Sequence, residues 1–439
     1  MKRIGDYLLE AVLAILAIFV MILIIAPYFF GYSMQSDYKT RLQELSTNTE
    51  FTYEVISYNR NWFNTDADLL VKNKENQVLF YLRQQIIHGP LYLGLLLKGD
   101  SPWVNMVIKG RVLFDKKDNT IFSKLFSANN AVIIDGVVRF NDDVIFEVII
   151  PEIDSKLNGD IYKLSDMNLD IHYSSDSNRF LGEFSIPDLM INYSGLFEIK
   201  DLILSFNQAI SGSDITGDLV ISFDVIKFNV KKYLFDIRQF SSRLKNEKTS
   251  NIISADLDLK VSKINLFNQQ MNSLSLDVSA NGLEYNVLKN KFLAVVNDSQ
   301  DQFSDISISD YHYQSVVINR FDFFTEHGGF ASNLSLKSEI SDLDVDKNYF
   351  SDKDVSLNVS AGDVLLKKIY QLIVMAYQNT KFNTSKDFVD SLLSMKYIEN
   401  INNKYKFSLR NKDGKFLVND FFVSYDELTK NLSSSVFIK

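Results

Sequence analysis

The chain has 439 residues, an apolar fraction of 46%, a formal net charge of −9, and no cysteine. Its length predicts about two to three domains, and its apolar content is sufficient for packed cores. An acidic chain lacks the basic face that a phosphate backbone requires, which argues against a nucleic-acid partner, and the lack of cysteine excludes disulfides, thiolate zinc sites and thiol catalysis.

The first element is the uncharged run "AVLAILAIFVMILIIAPYFF", residues 11–30. Twenty helical residues rise about 30 Å, which matches the hydrocarbon core of a bilayer, and the run is too long for a secretory signal. It predicts a transmembrane anchor preceded by a cytoplasmic stub, residues 1–10. Because Lys2 and Arg3 precede the run, we expect the N-terminus inside and the body, from about residue 37, outside the cytoplasm.

Most of the remaining chain alternates apolar and polar residues with a period of two. This alternation is typical of antiparallel strands with one dry and one wetter face. The predicted fold class is therefore mainly β, built from long one-faced strands. The clearest strands are expected at residues 51–58, 218–230, 257–262, 274–280 and 355–361. The run 218–230 is long for one strand, so we expect a bend or a bulge in it.

Two C-terminal segments have apolar residues at helical spacing instead. Residues 363–378 and 385–395 predict α-helices, and Ser385 is the expected cap of the second. A further helix is expected at residues 283–297.

Polar stretches mark the expected boundaries. Residues 241–251 and 297–304 are polar enough to be long loops or linkers. The predicted organisation is therefore a β-rich periplasmic domain over residues 37–245, followed by a second one over residues 250–439 that contains the C-terminal helices.

The most specific pattern lies in "YNRNWFNTDADLLV", residues 58–71, and "IIHGPL", residues 86–91. Together they resemble the signature of the YdgA-like family of bacterial inner-membrane proteins, which reads roughly Tyr-x-Arg-Gly-Trp-Phe-x-Ser-x-Ala and then Ile-x-His-Gly-Pro. Asn61 replaces the usual Gly and Thr65 the usual Ser. The matching residues are Tyr58, Arg60, Trp62, Phe63, Ala67, Ile86, His88, Gly89 and Pro90.

A third stretch, "DGKFLVND" at residues 413–420, is similar to the family's Asp-Gly-x-Leu-x-Val-Asn-Gly element, with Asp420 in place of Gly. The resemblance implies a Gram-negative inner-membrane protein with a periplasmic body, from a family without a known function. A more distant likeness, in pattern only, is to AsmA-like envelope proteins, which have an N-terminal anchor and long β-sheets linked to lipid traffic.

His88 is the strongest single candidate for catalysis. A histidine that acts as general base needs a carboxylate partner, and Asp66 and Asp68 are near in sequence. The alternative is that the His-Gly-Pro run ends a strand: Gly89 supplies an unusual backbone angle, Pro90 stops pairing, and His88 caps the turn. We favour this structural interpretation.

Arg60, beside Trp62 and Phe63, also has two interpretations. It is either a carbohydrate or lipid-headgroup site, or a cation–π pair that packs the sheet. The second is favoured.

No metal or cofactor is expected. His172, His312 and His327 have no metal-ligand spacing. The stretch from Asp342 begins like a calcium loop, but lysines stand where that loop requires glycine and glutamate.

Three functions remain open. The leading hypothesis is a single-pass inner-membrane protein with a periplasmic body and a non-enzymatic role, either structural support of the envelope or binding of a lipid or other apolar ligand. The alternatives are a membrane-anchored hydrolase or wall-modifying enzyme centred on His88, and a scaffold for a membrane protein complex. The expected partners are the membrane, a lipid or an envelope protein, and the oligomeric state stays open.

Overall fold

The structure is a computed structural model. It describes residues 2–114, 124–126, 131–157, 159–193, 195–211, 214–230, 233–249, 252–266, 269–284, 315–326, 328–338, 353–367, 384–412 and 415–424, and in residues 2–19 it describes the backbone only. Contacts group the chain into two compact units. Unit 1 comprises Met1–Ser194 and Ile199–Ile215, and unit 2 comprises Gly195–Glu198 and Thr216–Lys439. The division into domains 37–245 and 250–439 stays a prediction.

Helix α1 (Lys2–Asn48) begins unit 1 and continues well past the predicted span 11–30. Among the residues whose side chains are described, no helix has an apolar stretch long enough to cross a bilayer. Residues 11–19 of the predicted span lie outside that set. α1 contacts the first three strands of the unit 1 sheet.

The strands of unit 1 form an antiparallel meander. β1 to β6 pair in sequence, from β1 with β2 to β5 with β6. β6 then pairs with β9, and β9 with β10. β10 also pairs with β8, which forms a hairpin with β7. Their bounds are β1 (Phe51–Arg60), β2 (Asn64–Asn73), β3 (Val78–His88), β4 (Met106–Leu113), β5 (Val132–Val138), β6 (Val144–Ile150), β7 (Ile153–Leu157), β8 (Asp160–Leu164), β9 (Met167–Ser174) and β10 (Arg179–Asn192). A short helix, α2 (Leu93–Leu96), lies between β3 and β4, and β11 (Leu196–Ser211) has residues in both units.

Alternation along β2 shows how the unit 1 sheet forms its core. Ala67, Leu69 and Val71 are each 1% exposed, whereas Asp66 and Asp68, on either side of Ala67, point to the opposite face. The predicted pattern of one dry face and one wetter face is therefore confirmed for this strand.

Unit 2 is a second antiparallel meander. Its strands are β12 (Asp214–Val230), whose first two residues group with unit 1, β13 (Tyr233–Thr249), β14 (Ile252–Leu266), β15 (Gln269–Glu284), β16 (Ser315–Thr325), β17 (Gly328–Ser338), β18 (Lys353–Gly362), β19 (Glu399–Ile401), β20 (Lys404–Lys412), β21 (Lys415–Val418) and β22 (Phe421–Val423). β12 to β18 pair in sequence, and β18 then pairs with β20, which also pairs with β19 and β21. The strands predicted at 218–230, 257–262, 274–280 and 355–361 are all confirmed, and 218–230 pairs without a register shift.

The polar stretch 241–251 is not the predicted loop, because residues 241–249 form the second half of β13. This half pairs with β12 on one side and β14 on the other, so its backbone groups are satisfied despite a composition poor in β-formers. Its charges lie on the surface, where Arg243 bonds Asp218 at 3.0 Å.

Helix α3 (Ser385–Ser394) confirms the predicted helix at 385–395, although its cap is Thr384 instead of Ser385. The Thr384 side chain accepts a hydrogen bond from the Asp387 amide, and the Asp387 carboxylate accepts one from the Thr384 amide. Residues 363–367 are helical as predicted, while 368–378 lie outside the described residues. Of the helix expected at 283–297, the first two residues are strand and end β15. The rest of that segment lies outside the described residues, and so does the stretch 297–304.

Candidate functional site

The β1–β2 turn brings Arg60 onto helix α1. The Arg60 guanidinium carbon lies 4.8 Å from the centre of the Tyr28 ring and 5.4 Å from that of Tyr32. Both distances are within cation–π range. The cation–π packing expected from the sequence therefore exists, but its partners are two helix tyrosines and not Trp62 and Phe63.

Trp62 lies against the same helix. Its indole Nε1 donates a 2.6 Å hydrogen bond to the Ile24 carbonyl oxygen, and its ring centre is 5.0 Å from that of Tyr28. Trp62 and Phe63 are otherwise exposed, at 47% and 55%. One side of the β1–β2 turn thus contacts helix α1, and its other side is exposed.

His88 ends β3 beneath the helix and is only 2% exposed. Its Nε2 lies 2.9 Å from the Thr65 hydroxyl, and its backbone N–H donates to the Phe63 carbonyl oxygen at 2.9 Å. Gly31 of α1 packs directly on the imidazole, since a Cβ there would lie 2.6 Å from Nδ1. The histidine therefore fixes how closely the helix approaches the sheet.

Burial lowers the pKa of His88 below its ordinary value. The carbonyls of Trp62 and Pro27 favour the protonated ring and raise the pKa, and the charge of Arg60 lowers it again, but burial is the largest effect. Nδ1 makes no hydrogen bond of normal geometry to the described residues. Burial thus favours the neutral form of the imidazole in the folded chain.

The carboxylates considered as partners of His88 lie elsewhere. Asp66 and Asp68 alternate with Thr65 along β2 and point to the opposite face of the sheet. Asp68 accepts hydrogen bonds from Arg83 at 3.0 Å and from Ser57 at 3.0 Å. Thr65, the neighbour of Nε2, is fully buried, so its hydroxyl is closed to a substrate in this conformation. Neither Asp66 nor Asp68 is placed to orient His88, and the pair of His88 and Thr65 is buried, whereas a His-centred hydrolase requires both an orienting carboxylate and access for the substrate.

Gly89 and Pro90 follow the end of β3. The Gly89 N–H donates to the Asn105 carbonyl at 2.8 Å, and the Pro90 carbonyl accepts from Val104 at 3.2 Å. Gly89 has no positive φ, but the Gly89–Pro90 peptide bond is cis, so the backbone at this position is unusual, as expected. Glycine is required there because a Cβ would overlap the Val104 carbonyl oxygen and lie 2.7 Å from that of Asn105. Pairing also continues past Pro90, where a stop was expected, through a bridge between Leu91 and Trp103.

Tyr58 extends this contact along the helix. Its ring centre is 5.4 Å from that of Tyr38, whose hydroxyl donates a short hydrogen bond to the Gln84 side chain. Burial raises the pKa of both tyrosines, and the Tyr58 charge adds to the effect on Tyr38. We call this set the helix-docking cluster: Tyr28, Gly31, Tyr32, Tyr38, Tyr58, Arg60, Trp62, Thr65, Gln84 and His88.

Sequence reasoning found the strand half of the cluster and missed the helix half. The signal present in the sequence is the spacing of Tyr28, Gly31 and Tyr32, which places them on one face of a helix. The other candidate residues do not join the cluster. His172 lies on β9 opposite Ile145 and Leu181. His312, His327 and residues 342–352 of the calcium-like stretch lie outside the described residues, and the last two residues of that stretch begin β18. Within the described residues no group of His, Cys, Asp and Glu has the arrangement of a metal site.

Asn419, in the third motif, has a structural role in unit 2. Its side-chain oxygen accepts from the Ser408 amide at 2.7 Å, and its nitrogen donates to the carbonyls of Lys396 and Tyr397 at 3.1 and 2.9 Å. Asp420, where the resemblance places glycine, has φ 67°. A left-handed backbone explains why glycine suits this position.

A second candidate site is the apolar side of the unit 2 sheet. The register places Leu259 opposite Leu276 and Leu334 opposite Leu357, and the same face continues through β16 and onto β20. We call it the apolar face of unit 2: Leu257, Leu259, Val261, Leu274, Leu276, Val278, Ile318, Leu334, Leu336, Val355 and Leu357.

Burial of this face is uneven. Helix α3 covers its β20 end, where Phe388 and Val389 pack with Tyr405 and Phe407. On β14 to β17 most of the facing side chains, Leu259 among them, are only half-buried. Leu69 and Val71 in the unit 1 core are 1% exposed by comparison. The face therefore retains apolar surface along the middle strands.

These features define a class of protein: mainly β, with antiparallel meanders and a long N-terminal helix docked on the first sheet through a histidine, an arginine and aromatic residues. A family described as bacterial protein of unknown function (DUF945) matches residues 9–424, and the chain belongs to this family. No curated protein and no solved structure shows a significant match to the chain.

Proposed function

We propose that this chain is a single-pass protein of the bacterial inner membrane, of the YdgA-like kind, whose periplasmic body binds the acyl chain of a membrane lipid on the apolar face of unit 2. Residues 11–30 are the anchor, the N-terminus is cytoplasmic, and the role is non-enzymatic. The anchor rests on twenty uncharged residues in a continuous helix.

One observation carries the lipid proposal: the register aligns the apolar residues of β14 to β18 on one face, and most of those on β14 to β17 stay half-buried. Full burial of an aliphatic side chain is worth about 1.5–3 kcal/mol, so a row of half-buried ones favours an apolar occupant. An acyl chain suits a row of this kind because it is flexible, unbranched and free of hydrogen-bonding groups. Charged side chains such as Asp258 and Lys260, which bond each other at 2.9 Å, occupy the opposite face and give that side no affinity for lipid tails.

Topology is tested with C-terminal fusions. We expect active alkaline phosphatase and dark green fluorescent protein on the full chain, and the reverse pattern would contradict the orientation. Lipid binding is tested by native mass spectrometry of the full chain, purified in a mild detergent and washed with an excess of it. We expect an adduct with the mass of one phospholipid or fatty acid, which the folded chain retains after washing. A compact chain without any adduct would contradict the proposal and would favour a structural or scaffolding role.

A further inference from the structure

One edge of the unit 1 sheet collects the turns nearest the N-terminal helix. Register pairs His88 with Met106, Met106 with Val138, and Val138 with Val144, so these strand ends lie side by side. Asn64 pairs with Ile87 beside them. The turns 61–63, 89–105 and 139–143 therefore project from the same edge, which we call the helix-side edge.

The helix-side edge carries large apolar side chains that are exposed. In α2, Leu95 faces inward and packs with Val104 and Val107. Leu97, directly after the helix, is 91% exposed. The exposed set at the three turns is Trp62, Phe63, Leu93, Leu96, Leu97, Trp103 and Phe140. By contrast, the β2–β3 turn at the other edge has only polar residues at its exposed positions 74–77. An exposed apolar group of this size on one edge marks a contact surface.

The same edge touches the last part of the proposed anchor. Trp62 donates to the Ile24 carbonyl, and the Phe140 ring centre lies 6.0 Å from that of Phe30. Ile24 and Phe30 both belong to the uncharged run 11–30. If that run is in the bilayer, the turns in contact with it are at the level of the lipid headgroups. Both tryptophans of the chain, Trp62 and Trp103, lie at this edge, and tryptophan favours the membrane interface.

We infer that the helix-side edge of unit 1 inserts into the periplasmic leaflet of the membrane that holds the anchor. Trp62, Phe63, Leu93, Leu96, Leu97, Trp103 and Phe140 enter the boundary between headgroups and acyl chains, at a depth of about 5–10 Å. Their contact is apolar, because Lys98 and Arg139 at these turns are offset by Asp100, Asp142 and Asp143. The inference rests on the proposed anchor and adds a second, peripheral contact that holds the body against the bilayer.

Tryptophan fluorescence tests this with the full chain in vesicles of phosphatidylethanolamine and phosphatidylglycerol. Some vesicles also contain phosphatidylcholine brominated near the headgroup end of its acyl chains. In the Trp62→Phe variant Trp103 is the only tryptophan, so the fluorescence reports on the turn 89–105. We expect bromine to quench Trp103 and its emission to be blue-shifted. Leu97→Asp, at a position too exposed to affect folding, should reduce both effects, and Glu75→Gln at the other edge should change neither.

Two readouts distinguish insertion of the helix-side edge from anchoring by the helix. Carbonate extraction of the same vesicles reports whether the helix is integral. An integral chain whose Trp103 is unquenched would refute insertion of the edge and leave the anchor standing. A chain released by carbonate, with Trp103 unquenched, would refute both the insertion of the edge and the anchor. Quenching of Trp103 that Leu97→Asp leaves unchanged would also refute the inference, because the apolar turn would not be the group that enters the lipid.

Discussion

The contact between Gly31 and His88 predicts that the two positions are energetically coupled. A Cβ at residue 31 would lie 2.6 Å from Nδ1 of His88, whereas carbon atoms in comfortable contact are about 3.5–4.0 Å apart. Gly31→Ala must therefore push the helix about 1 Å from the sheet or move the imidazole. Overpacking of this kind costs about 1–3 kcal/mol, while alanine is favoured over glycine inside a helix by about 1 kcal/mol.

The net effect of Gly31→Ala alone is thus a loss of about 0–2 kcal/mol in the free energy of unfolding of unit 1. With His88→Ala already in place the obstacle is absent, and Gly31→Ala should stabilise by about 1 kcal/mol. The coupling energy expected from the double-mutant cycle is about 1–3 kcal/mol.

Urea titration with pulse proteolysis of the full chain in mild detergent measures the four variants. Ser33→Ala, at an exposed position of the same helix, is the matched control and should show no coupling to His88. If Gly31→Ala has the same effect with and without the imidazole, the reasoning is wrong, because the helix would not rest on His88.

Three other predictions concern single positions, and urea unfolding measures each of them. Gly89→Ala should cost about 1–3 kcal/mol, because its Cβ would meet backbone oxygens that cannot move aside; an unchanged midpoint would contradict this. Burial lowers the pKa of His88 below 6.5, so the unfolded chain binds more protons and the free energy of unfolding falls as the pH drops below 6.5. His88→Gln should remove that part of the pH dependence, and identical pH profiles would contradict the burial effect. Asn419→Ala should cost about 1–3 kcal/mol through lost buried hydrogen bonds, whereas Asp420→Gly should gain about 0.5–1 kcal/mol by relieving a left-handed residue; effects of equal sign would refute this account of the turn.

The sheet strands were the most predictable part of the fold. Period-two alternation at 257–262 and 274–280 identified both strands, and it also placed Leu259 and Leu276 on the same face, where the register pairs them. Alternation failed in the second half of β13, because pairing on both sides holds a strand whose own residues favour a loop. The polarity pattern of one segment does not show which strands will pair with that segment in the sheet.

The helix-docking cluster could be predicted only in part, for a similar reason. The motif drew attention to Arg60, Trp62 and His88, but their partners lie some 30 to 60 residues earlier in the chain. Gly89 shows the same limit, since the need for glycine comes from carbonyl groups of residues 104 and 105 and not from a positive φ of its own.

Site-specific crosslinking from the sheet tests the lipid-binding claim most directly. The photoreactive residue p-benzoylphenylalanine replaces Leu259, on the apolar face of unit 2, or the adjacent Lys260, which is exposed on the opposite face. After irradiation of intact cells that carry the full chain, we predict a lipid adduct at position 259 and none at position 260, with both variants at normal protein level. Crosslinks from position 259 to this chain alone, or to another protein, with no lipid adduct, would contradict the account.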